Sequence, residues 1–85
     1  MDEEERRRRC REKFDRGELP RVAPERILVN EGTWERCALC DEDIPDGSRE
    51  YELQFALRFG FASTDLVSFR FHHYCFATWL VEHTR

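Results

Sequence analysis

The sequence predicts one small α+β domain, and three patterns carry that prediction. From Tyr51 to Phe61, Tyr51, Leu53, Phe55, Leu57, Phe59 and Phe61 alternate with Glu52, Gln54, Ala56, Arg58 and Gly60, the period of a strand with one apolar face. Phe76, Trp79, Leu80 and His83 recur at i, i+3, i+4 and i+7, one face of a helix from about His73 to the end. Two pairs of cysteine or histidine residues, each with two residues inside, flank the strand region. With 85 residues, the chain is too short for a two-domain enzyme or a deep substrate cleft.

Taken in order, residues 1–21 form a charged arm, helical or disordered, and residues 25–85 a folded domain. Glu3 and Arg7, Glu4 and Arg8, and Glu5 and Arg9 are spaced four apart with the acid first, which supports a helix by a few tenths of a kcal/mol per pair. No apolar stripe accompanies these pairs beyond Cys10 and Phe14. Gly17, Pro20 and Pro24 end the helix, so the arm is expected to be mobile and to add little stability unless Phe14 docks. Cys10, flanked by Arg6 to Lys13, is expected to have a depressed pKa. Ile27-Leu28-Val29 reads as a short strand, and Trp34 as the apolar plug of the turn that follows. Pro45-Asp46-Gly47 is a turn, Gly60 to Asp65 reverses the chain, and Val67, Phe69 and Phe71 return as the second strand of a hairpin.

Cys37-Ala38-Leu39-Cys40 and His72-His73-Tyr74-Cys75 are separated by residues 41–71, a gap of 31. A Cys-x-x-Cys turn directs two thiolates at one metal, and His72 and Cys75 at the mouth of a helix share a face that completes a tetrahedron. The order of knuckle, β-hairpin and helix is that of a treble clef, and the ligand set predicts one structural Zn²⁺ held by Cys37, Cys40, His72 and Cys75. His73 is the competing imidazole, while His83 reads as a helix cap or a surface residue. A redox Cys-x-x-Cys would open a helix after a strand; here a Pro-Asp-Gly turn and a hairpin follow. Four protein ligands close the metal to substrate, and Asp41, Glu42, Asp43 and Asp46 have no histidine positioned by sequence to work with them. The expectation is a protein that is not an enzyme and takes no small-molecule substrate.

No apolar run is long enough to span a membrane, and the start is acidic where a secretory signal is basic. The expected location is cytoplasmic, or nuclear in a eukaryote, where four cysteines hold metal more readily than they form disulfides. Residues 1–36 carry ten acids and ten bases; residues 37–85 carry eight acids and four bases. A filled site of three thiolates adds one further negative charge, which sets the cysteine-rich half against phosphate.

From Cys37 to Trp79 the chain resembles the poly(ADP-ribose) polymerase-type zinc finger. The shared residues are Cys37-x-x-Cys40, Ile44-Pro45, Gly47-Ser48-Arg49, and His72-x-x-Cys75-Phe76 with Trp79. The resemblance implies a finger that grips DNA breaks, with Phe59 and Phe61 stacking on bases and Arg49, Arg58 and Arg70 on the backbone, helped by Arg6, Arg7, Arg8 and Arg9. The acidic balance favours a different expectation: a structural zinc module that contacts another protein, or a second copy of itself, through the hairpin aromatics. Nucleic-acid binding stands as the alternative.

Overall fold

A computed structural model describes residues 1–59 and 63–85, with side chains for 1–56 and 65–85. It is a small α+β domain in which helices α1 (Glu3–Asp15) and α2 (His73–Glu82) accompany a sheet of β1 (Arg26–Glu31), β2 (Arg49–Phe59) and β3 (Ser63–His72). The sheet is antiparallel throughout, in the order β1-β2-β3, with Ile27 opposite Leu53 and Leu53 opposite Phe69. Phe61, proposed from sequence as a contact residue, lies outside the described residues, as do the side chains of Arg58 and Phe59. Among the described residues, no helix is long and apolar enough to cross a membrane.

The period-two pattern sorts the sheet into an apolar and a polar face. Leu53, Phe55 and Phe71 are buried on the first and receive α2, whose Trp79 ring lies 6.0 Å from Phe55 and 6.3 Å from Phe71. Tyr51 stacks on Phe76 at 4.5 Å. The opposite face carries a polar network. Glu52 accepts from Ser68 at 2.8 Å and from Asn30 at 3.2 Å, while the fully buried Glu50 accepts from Thr33 at 2.7 Å. Arg70 reaches both carboxylates, at 3.4 and 3.7 Å.

The N-terminal segment takes the helical of its two expected forms, and the condition set on its mobility is met: Phe14 docks, Cys10 and Lys13 are buried beside it, and α1 packs on α2. Asp2 caps its start through Glu5 N–H, and Gly17, at φ +73°, ends it. Gly17 N–H reaches Phe14 O and Glu18 N–H reaches Lys13 O, the paired bonds of a glycine-terminated helix. Leu19 follows into the core, and Pro20 O accepts from the Trp79 indole at 2.9 Å. An apolar stripe was not needed, because the buried face of α1 is narrow and Lys13 satisfies its charge inside it.

The buried face of α2 is Cys75, Thr78, Trp79 and Glu82, rotated from the 76/79/80/83 stripe; Leu80 is 42% exposed. The rotation follows from α1, which covers the Thr78–Glu82 side and pairs Arg11 with Glu82 at 2.7 Å. The Arg11 hydrogen bond holds the buried Glu82 carboxyl below the ordinary carboxylate range. His83 folds back to cap the helix, donating to Trp79 O at 3.1 Å and stacking on the indole at 4.0 Å.

Gly32 is fixed by space rather than by dihedral angle. A Cβ there would lie 1.9 Å from Pro45 O and 2.8 Å from Ile44 O. Both are backbone atoms, unable to swing aside. Gly32→Ala should therefore cost about 3 kcal/mol or more, the upper end for overpacking, read as a lowered thermal midpoint of the metal-loaded protein.

Candidate metal centre

The knuckle is built by backbone hydrogen bonds that its sequence permits. Asp41 N–H returns to Cys37 O at 3.0 Å, with Asp41 at φ +65°, a left-handed conformation that aspartate tolerates better than most residues. Cys37 N–H donates to Glu42 O at 2.8 Å, and Ala38 N–H to Arg70 O at 2.7 Å. The last bond docks the knuckle on β3, two residues before His72. His72 itself sits in extended conformation just before α2, and Cys75 follows in the first turn.

These constraints bring Cys37, Cys40, His72 and Cys75 together with their donor atoms all within 4.8 Å of one another. All four are buried and the cysteines are free thiols. His72 Nδ1 lies 3.4 Å from Cys40 Sγ. A tetrahedral ion with a sulfur ligand at about 2.3 Å and a nitrogen at about 2.05 Å separates them by about 3.6 Å, so the pair is spaced as two ligands of one ion. On the far side of the ring, Nε2 donates to Asp43 O at 3.1 Å, which leaves Nδ1 as the lone-pair nitrogen aimed into the cluster. His72 also stacks on Tyr74 at 5.1 Å, and the Arg6 guanidinium lies over the Tyr74 ring. His73 is exposed and outside the cluster.

The thiols constrain one another electrostatically. Hydrogen bonds from Cys40 and Cys75 hold Cys37 far below the ordinary thiol range, while the same proximity pushes Cys75 far above it. A buried group of this kind ionises fully only around a cation. The donor set therefore fits a metal: three soft sulfurs and one imidazole, with no disulfide between them.

Lys13, which sequence reasoning missed, and Arg9, which it gave only as a contact residue, close the site from above. Arg9 donates to Cys40 O at 2.9 Å, and the buried Lys13 to Ala38 O and Asp41 Oδ1, each at 2.8 Å. Helix α1 thus places two cations against the knuckle backbone. Their i, i+4 spacing, beside that of Cys10 and Phe14, was the available signal.

Two sequence expectations are corrected here. Trp34 is not a plug: it is 63% exposed at φ +63°, and Ile44 fills the interior instead. The Trp34 N–H to Ile44 O and Ile44 N–H to Glu35 O bonds fix the segment with the indole outward. Cys10 does not have a depressed pKa: burial, then the nearby Glu82 carboxylate, pushes its thiol up to about 12. The arginines given as contact residues differ in their surroundings: Arg70 pairs with the buried Glu50, whereas the pairs of Arg7 and Arg8 lie on the surface of α1. Arg7 pairs with Glu3, Arg8 with Glu5 and Glu12, and Arg70 with Glu50 and Glu52; Arg49 is exposed. No family model, curated protein or solved structure matches the chain.

Proposed function

We propose that the protein is a zinc-stabilised interaction module of treble-clef type, in which one structural Zn²⁺ fixes a surface for contact with another protein. The observation that carries this reading is the closed, buried Cys37/Cys40/His72/Cys75 cluster, with its imidazole locked by Asp43 O and its knuckle capped by Arg9 and Lys13. Four protein ligands occupy every corner of a tetrahedron, so the ion contributes folding energy and no reaction step passes through it. The engagement of Arg9 and Arg70 within the fold favours a protein partner over nucleic acid, since phosphate affinity depends on free cations. Exposed Trp34, Ile27 and Val29 supply apolar surface of the kind such contacts use.

Cobalt substitution tests the closed site. Co²⁺-loaded protein should show the visible bands of a tetrahedral thiolate complex, unchanged by added imidazole or cyanide. Bands that shift on adding either would reveal an open coordination position and replace the structural reading with a catalytic one.

A further inference from the structure

Among the described residues, strand β1 is an edge strand left without cover on two sides: it pairs only with β2, and α2 lies over β2 and β3. Ile27 and Val29 belong to the apolar face, opposite Leu53 and Tyr51, yet are 46% and 57% exposed. The Gly32 N–H to Ser48 O bond sets the phase of the ladder: the peptide groups of Leu28 and Asn30 face β2, and those of Ile27 and Val29 point outward. No proline or lysine interrupts Arg26–Glu31, the usual guards of an exposed edge. The outer edge of β3, by contrast, is partly covered by the Ala38 N–H to Arg70 O bond.

We propose that two copies of the chain pair antiparallel through β1, about a two-fold axis at Leu28, to form a continuous six-stranded sheet. A two-fold axis normal to the sheet keeps the apolar faces of both copies on one side, so only residues of like parity can oppose. With Leu28 on the axis, Ile27 faces Val29 of the second copy and Val29 faces its Ile27. These are the positions whose peptide groups point outward, so the pairing closes four backbone hydrogen bonds. On the other face Leu28 meets its own copy, and at each end Arg26 comes opposite the uncharged Asn30 of the second copy. Moving the axis to Val29 would set Ile27 against Glu31, and any odd shift would turn apolar against polar faces. The strand therefore specifies one register with itself. This names a partner for the interaction module proposed above, and it rests on that reading for the fold that the metal holds.

The paired strip is small against the roughly 1,200–2,000 Å² of stable complexes, so the dimer should dissociate on dilution. Sedimentation of the zinc-loaded full chain over a wide concentration range should show monomer passing to dimer. Val29→Lys, at an exposed site, should stay monomeric throughout with unchanged zinc content and thermal midpoint, whereas Trp34→Ala should dimerise like the parent. Leu28→Cys should form an intermolecular disulfide under mild oxidation, because a non-hydrogen-bonded pair on the axis brings the Cα atoms to about 4.5 Å. Monomer at every concentration, or a dimer that survives Val29→Lys, would overturn the proposal. Zinc assayed on the same samples separates the two readings: a zinc-loaded monomer refutes only the pairing, and a zinc-free chain refutes the module itself.

Discussion

Replacing His72 with alanine should leave the chain unfolded at room temperature, while His73→Ala should fold with its thermal midpoint within a few degrees of the parent. Adjacent histidines meet opposite fates because only His72 has Nδ1 at 3.4 Å from Cys40 Sγ and Nε2 on Asp43 O. A structural zinc contributes about 10–16 kcal/mol of apparent binding energy, available only to the folded form. The whole stability of a native domain is about 5–15 kcal/mol, so weakening the metal by one ligand consumes most of it. Dispersion of amide proton resonances distinguishes the outcomes. A folded His72→Ala beside an unfolded His73→Ala would reassign the ligand.

The second large effect concerns α1. Removing residues 1–18 strips Phe14 and Cys10 from the core, takes the Lys13 and Arg9 bonds from the knuckle carbonyls, and removes Arg11 from the Glu82 carboxylate. A buried aromatic alone is worth about 3–5 kcal/mol. The hydrogen bonds from the buried Lys13 ammonium add about 1.5–3 kcal/mol each. The truncated chain should lose at least roughly 5 kcal/mol, a fall of about 20 °C or more at the usual 4–8 °C per kcal/mol. Calorimetry on the zinc-loaded form measures it. A midpoint within a few degrees of the parent would mean that α1 is an accessory to the fold.

Much of this architecture could be read from residue order. Alternation from Tyr51 onward marked β2, and Cys-x-x-Cys with His-x-x-Cys marked the cluster, because both depend on local spacing that the backbone enforces. What could not be read depends on which element arrives from a distance. Trp34 and Ile44 are both apolar and both near the knuckle; the bonds between Trp34, Glu35 and Ile44 decide which one turns inward. Likewise Arg9 and Lys13 look like two more charges on a charged helix until Cys40 O and Ala38 O appear beside them. The rotation of α2 has the same origin, since a helix alone gives no sign that α1 covers its Glu82 side.

Metal content paired with the consequence of removing it tests the metal-held fold most directly. Elemental analysis of the purified chain should find one zinc per chain, and a strong chelator should unfold it cooperatively, with helical ellipticity restored when zinc is returned. Two zincs per chain, or a metal-free protein that keeps its folded spectrum, would contradict a fold held by Cys37, Cys40, His72 and Cys75.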